Sequence, residues 1–276
     1  MNVIGLGSAG CQLADCLKKY QQYNIFSVDT ENKEYSKYRS VIPQSSHEEY
    51  EKNYKKINLR GCSGETLLVL SGASQISGIA LRLLEQLKNR KVNVMYIKSD
   101  EAVLSKQAQM SDRITFFILQ EYARSNKINN MFIVSNKNIE SILEGNISLQ
   151  SYWQQINEVI ASTFHMYNVF QNTEPLLTSR IDIPATAKMI SLGVVNFKTG
   201  KERPFYDLQY PRVKNYFYGI NSETLENDKD LLHNIRQSTL SEDDNLDVGF
   251  SIFSTDYEQN YVYSAHFASY IQEQNP

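Results

Sequence analysis

The chain has 276 residues, 41% hydrophobic and 11% aromatic, which supplies a real core and allows one large or two modest domains. Its 28 Lys+Arg against 31 Asp+Glu leave a net charge of −3, which excludes a polycationic nucleic-acid binder and, at this hydrophobicity, a disordered chain. Cys11, Cys16 and Cys62 show no CxxC spacing, so they fit neither a disulfide framework nor a zinc site and suit a reducing cytosol.

From the N-terminus, Val3-Ile4 reads as a short buried strand that ends in Gly5-Leu6-Gly7-Ser8-Ala9-Gly10. A helix follows with Cys11, Leu13, Ala14 and Leu17 inward, then a second strand, Asn24–Asp29. Residues 31–56 are polar, Tyr-rich and aperiodic, and read as an excursion with at most short helices. Glu65–Leu70 is a strand, Ser71–Ser77 a loop, and Ile79, Leu83, Leu84 and Leu87 mark a helix. The strand Val92–Ile97, a helix over Ile114–Ala123, the strand Met131–Val134 and a polar loop Ser135–Asn138 come next. A long helix from Leu149 to Val169 carries Trp153, Ile156, Val159, Ile160 and Phe164. Beyond it, strands at Lys188–Phe197, Lys214–Ile220, Leu246–Phe253 and Tyr261–Phe267, with one helix near Glu223–Arg236, read as α+β. Alternating strands and helices in the first part imply a parallel sheet. No run approaches the roughly 20 apolar residues of a membrane span, and Met1–Gly10 lacks the layout of a signal peptide. The expectation is a soluble cytoplasmic α/β protein divided into residues 1–148, a central helix and loop over 149–181, and a small α+β domain over 182–276.

Gly5, Gly7 and Gly10 match GxGxxG between a strand and a helix, a backbone cradle that suits phosphate because free amides and the helix dipole favour an anion. Asp29 stands where a dinucleotide-binding fold places its ribose acid, so an NAD(P) oxidoreductase is one reading, although no hydride-transfer acid or base accompanies it. A second small-residue loop, Ser71-Gly72-Ala73-Ser74-Gln75-Ile76-Ser77-Gly78, follows another strand, and two such loops could hold one polyphosphate; the alternative is a turn with a good N-cap. Trp153 and Asn157 share a helix face, where a ring can stack on a purine and an amide can read its edge, unless the tryptophan is simply core. His47, His165, His233 and His266 are scattered, and no metal site is expected. Glu242-Asp243-Asp244 reads as a solvated loop, and Lys52, Lys55 and Lys56 interleave with Tyr50 and Tyr54 without a wider basic excess.

The order of these parts resembles the tubulin/FtsZ superfamily. Gly5–Gly10 with Cys11 is similar to the family's first loop, Asp29-Thr30-Glu31 to its ribose loop, Phe132–Asn136 to the strand and Asn loop beside the base, and Tyr152–Val159 to the start of its central helix. The resemblance implies a GTPase-type fold and GTP or GDP, with Mg2+ as a possible companion. Trp153 and Asn157 would lie at the base, Asp29 and Thr30 at the ribose, and Asn136 nearby. Gly5, Gly7, Ser8, Gly10, Ser71, Gly72, Ser74 and Gly78 would lie around the phosphates. It further implies head-to-tail self-association into filaments, with one subunit's catalytic loop completing the next subunit's site.

Two departures weaken the chemistry. Where the family's phosphate loop reads close to GGTGTG, this chain has Ala73-Ser74-Gln75-Ile76-Ser77-Gly78, and β-branched Ile76 resists positive φ. Where bacterial members read NxDxxD, this chain has Arg180, Asp182 and Ala185, so Asp182 alone remains to polarise water. The leading expectation is therefore a divergent guanine-nucleotide binder with weak or absent hydrolysis. The alternative is an assembly protein, for instance in a virus-encoded machine, that keeps the fold without the nucleotide.

Overall fold

The computed structural model describes residues 1–143, 148, 150–239, 243 and 245–272. The predicted helix start at Leu149 and the acids Glu242 and Asp244 lie outside the described residues. The chain divides into two compact units, Met1–Ser162 and Thr163–Pro276.

In the first unit the elements are β1 (Asn2–Leu6), α1 (Gly7–Cys16), β2 (Asn24–Asp29), β3 (Tyr38–Ser40), α2 (His47–Lys52), β4 (Thr66–Leu70), α3 (Ala80–Gln86), β5 (Val92–Lys98), α4 (Lys106–Arg124), β6 (Met131–Ser135) and α5 (Asn136–Ile142). Helix α6 (Tyr152–Gln171) begins in this unit and ends in the next. The strands run in the order β3-β2-β1-β4-β5-β6, and every pair is parallel. β1, β4 and β5 are buried at every residue, the continuous apolar run of a sheet covered on both faces. Helix α1 seals one of those faces with Cys11, Leu13 and Ala14. Helix α4 starts at Ser105, whose hydroxyl accepts from the Ala108 amide, and it is fixed to β5 by a buried Lys98–Asp112 ion pair of 3.0 Å. The Tyr96 hydroxyl donates to the same carboxylate at 2.7 Å.

Parallel pairing puts the carboxyl ends of all these strands on one edge, where open α/β sheets bind ligands. Leu6 lies opposite both Val28 and Leu70, Leu70 opposite Tyr96, and Lys98 opposite Ser135. The segments that start at Gly7, Thr30, Ser71, Ser99 and Asn136 therefore leave the sheet side by side.

The second unit contains β7 (Leu177–Thr178), β8 (Met189–Val195), β9 (Glu202–Pro204), β10 (Val213–Asn221), α7 (Ser222–Asn227), α8 (Leu231–Ser238), β11 (Asp247–Thr255) and β12 (Tyr261–Ala268). Its strand order is β8-β12-β10-β11-β7 with β9 on β8, parallel only between β10 and β11. Phe170, near the end of α6, stacks on Phe217 at 5.8 Å and leans on Phe253 at 4.5 Å. A further core joins Ile220, Leu231, Ile235, Phe250 and Ile252.

Local hydrogen bonds account for three differences from the sequence reading. Ser135–Asn138 is not a loop: the Ser135 hydroxyl caps the Asn138 amide and starts α5. The helix expected over Glu223–Arg236 is two helices, because the Asp228 carboxylate takes the Asp230 amide and breaks the ladder. The excursion after β2 contributes a short parallel strand, β3, as well as helix α2.

Candidate functional site

The turn after β1 is the tightest part of the edge. Gly7 has φ +71°, a conformation that glycine adopts without the cost a side chain imposes. It opens α1 with no side-chain cap and no acid in the first turn, so the first amides of that helix are left for an anion. Gly5 and Gly10 are buried behind it, and a Cβ on Gly10 would stand 2.3 Å from the Val69 carbonyl oxygen. Their lack of side chain lets β1, α1 and β4 close up. Cys11 is fully buried with its Sγ 3.3 Å from the Gly5 carbonyl oxygen, and burial next to the charge of Asp29 pushes its thiol up to about 12. It is a packing residue in the neutral thiol form.

The loop after β4 stands against this turn. A Cβ on Gly7 would lie 2.8 Å from Ile76 Cγ2 and 3.5 Å from the Ser74 hydroxyl oxygen. Gln75–Ile79 coils as a 3-10 turn with no positive φ, and the Ser77 hydroxyl fastens it to the carbonyls of Gly72 (3.0 Å) and Ser74 (2.6 Å). Ile76 is buried over the first loop. Gly72 is required by another neighbour, since a Cβ there would stand 1.9 Å from the Tyr96 hydroxyl oxygen, and Gly78 is pressed against the His47 carbonyl of α2. The Ser71 hydroxyl lies 3.2 Å from that of Ser99, bridging the ends of β4 and β5.

Asp29 ends β2, buried, with a carboxylate oxygen accepting the Thr30 amide at 2.8 Å. Burial raises its carboxyl above the usual range, opposed by that amide and by Lys33. Thr30 is half-buried beside it. Between Asp29 and the first loop lies Tyr35, which sequence reasoning missed. Its buried hydroxyl is turned toward Ser8 and Gln12 yet meets neither with hydrogen-bonding geometry, so a buried polar atom faces this space without a partner among the described residues.

Gln12, Cys16, Lys33 and Tyr35 then form one wall of a groove of about 420 Å³ whose other wall is Trp153, Asn157 and Glu158 of α6. Trp153 is 55% exposed, too open for a core tryptophan, whereas Asn157 is buried on the same face one turn later. Burial pushes the Cys16 thiol up to about 11. Asn136 is half-buried in the first turn of α5, at the end of β6. Asp182 lies in the second unit, exposed, in the stretch between β7 and β8, with Arg180 turned back to Gln171 at 3.2 Å. The first unit therefore collects on one edge the residues expected around base, ribose and phosphates, and Asp182 stands apart from them in the chain. No motif pointed to Tyr35, Gln12 or Lys33. The only trace was the density of tyrosines in residues 31–56.

Taken as a donor set, the groove offers what a nucleoside uses: an open indole, a buried amide, the carboxylates of Asp15 and Glu158, and the Tyr35 phenol. The same helix α1 starts uncapped at Gly7, where Ile76 packs against the turn. Among the described residues no group of three or more His, Cys, Asp or Glu side chains converges on a metal-sized point.

Fold and edge together define the class: the chain has the tubulin/FtsZ fold. No family model matches it, and no curated protein matches it in sequence. Among solved structures it is similar to CetZ1 from Haloferax volcanii, a GDP-bound monomer, with TM-score 0.68 at 13% identity over 98% of this chain and 94% of that one. A GTPγS-form protofilament of TubZ from Bacillus thuringiensis serovar israelensis gives 0.66 at 13% identity, covering 97% and 86%. An empty FtsZ dimer from M. jannaschii gives 0.65 at 12%, covering 97% and 87%.

Proposed function

We propose that this chain binds guanine nucleotide on the carboxyl edge of its parallel sheet and self-associates head-to-tail, with weak or absent hydrolysis. The observation that carries the reading is the groove between α1 and α6, in which an exposed Trp153 and a buried Asn157 face Gln12 and Tyr35, on a helix α1 that starts uncapped at Gly7. The fold it shares with nucleotide-bound and filamentous relatives supports it. In this reading Trp153 stacks on the base and Asn157 pairs with its edge, Asp29 and the Tyr35 hydroxyl meet the ribose, and the amides of Gly7–Gly10 with Ser8 receive phosphate. Asp182 of one copy would approach the nucleotide of the next. Ala185 stands where a second acid would be needed, so hydrolysis is slow.

The test is direct, because Trp153 is the only tryptophan. Titration with GTP is expected to change its emission saturably, with ATP and NAD inert and Trp153→Phe silent. A response to NAD without GTP would overturn the reading. One observation favours a second reading, an assembly protein without nucleotide: Ile76 is packed over Gly7, where phosphate would enter. That reading predicts no response to any nucleotide and self-association in its absence.

A further inference from the structure

The first unit holds a second cavity, larger than the groove and built entirely from the excursion between β2 and β4 together with Ile79. Its volume is about 730 Å³, within the range of small-molecule sites. Tyr50, Ile57 and Ile79, all buried, are among its lining residues and bring apolar surface to it. The lining carries four cations, Arg39, Lys52, Lys55 and Lys56, and not one carboxylate. That imbalance is local, because the chain as a whole is slightly acidic.

Two further facts separate this cavity from an ordinary patch of surface lysines. Its walls are pinned from several directions. Arg39 Nε donates to the Asn58 carbonyl at 2.6 Å, the Asn53 amide to Gln44 at 2.8 Å, and Gln86 both accepts from the Ile57 amide (3.1 Å) and donates to the Ile57 carbonyl (2.7 Å). The non-helical stretch 53–58 is thus held as a wall rather than left as a loose loop. The cations are also not held in close ion pairs, although Lys52 acts on Glu49 from a distance and Glu51 and Glu85 line the next recess. Arg39 spends its hydrogen bonds on main-chain carbonyls, and among the described residues no carboxylate lies within ion-pair distance of Lys52, Lys55 or Lys56. Unpaired like charges gathered around a preformed, partly apolar cavity repel one another until an anion joins them.

We infer that this cavity binds a small phosphorylated organic anion, with phosphate oxygens on Lys52, Lys55, Lys56 and Arg39 and the organic body against Tyr50, Ile57 and Ile79. Lysines suit phosphate as point charges and need no bidentate geometry. The site is distinct from the groove at Trp153, with which it shares no lining residue.

The experiment is calorimetric titration of the full chain with inorganic tripolyphosphate, which carries the charge and has no base to stack. Binding is expected, weakened about tenfold for each lysine replaced in Lys52→Gln/Lys55→Gln/Lys56→Gln. The arginine version of the same triple change keeps the binding. Removing equal charge elsewhere, by Lys106→Gln/Lys127→Gln/Lys201→Gln, leaves affinity within about twofold; these lysines are exposed and outside the cavity. Any of three results overturns the proposal: no binding, equal loss in both glutamine variants, or binding of an oligoglutamate peptide in place of the polyphosphate. The GTP response of Trp153 is read separately, so failure here does not touch the nucleotide site.

Discussion

Ile76 and Gly7 decide the character of the sheet's carboxyl edge. The sequence shows a β-branched residue where glycine belongs and suggests a disturbed loop. What it does not show is that the loop avoids positive φ altogether by coiling as a 3-10 turn, with the isoleucine side chain laid over the first loop. If Ile76 narrows the cradle, Ile76→Ala should tighten GTP binding in the Trp153 titration. The same change should lower stability by about 2–5 kcal/mol, as for other buried large-to-small replacements. Unchanged or weaker GTP binding in a folded variant would mean that Ile76 does not crowd the phosphate. Gly5–Gly10, Asp29, Trp153 and Asn157 were legible because each belongs to a spacing with a physical meaning. Tyr35 was not, because its position depends on how an aperiodic stretch folds back over α1, and no local pattern encodes that.

Helix α4 and the strand trio β9, β10 and β12 each depend on a buried charge. Lys98 and Asp112 tie α4 to β5, and Asp112 is 1% exposed. Removing the cation in Lys98→Met strands that carboxylate, which costs about 3–5 kcal/mol in chemical denaturation; replacing both partners with apolar residues should recover much of the loss. In the second unit Glu202 of β9 accepts from Lys214 of β10 at 3.0 Å and from the Tyr216 hydroxyl at 3.1 Å, and meets His266 of β12 at 2.5 Å. Burial pushes its carboxyl up, but His266 and Lys214 outweigh burial and hold it well below the usual value of 4.5. A carboxyl lowered in the folded state stabilises above its unfolded pKa and loses that contribution as pH falls through and below 4.5. Melting temperature should therefore drop on acidification through this range, and Glu202→Gln, less stable at neutral pH, should show a smaller drop. Equal acid sensitivity in both proteins would contradict this. Strands β1, β2, β4, β5 and β6 were legible from their apolar runs. The short β3, β7 and β9 were not, since segments of two or three residues carry no period, and the α7–α8 break rests on a single Asp228 side chain.

At the scale of the molecule, the chain divides into two compact units at Ser162, within α6. Among the described residues no helix is long and apolar enough to cross a membrane. The fold was legible mainly through the order of its loops, since identity to solved structures of the same fold is only 11–14%. Whether that order still couples nucleotide to assembly is the central question. Quantitative pelleting with electron microscopy, with and without GTP, addresses it in wild type and Asn157→Ala. The account predicts polymer that requires GTP in the wild type, and in Asn157→Ala a requirement for about tenfold more nucleotide from the loss of one base-reading hydrogen bond. Equal polymer with and without GTP in both proteins would contradict it.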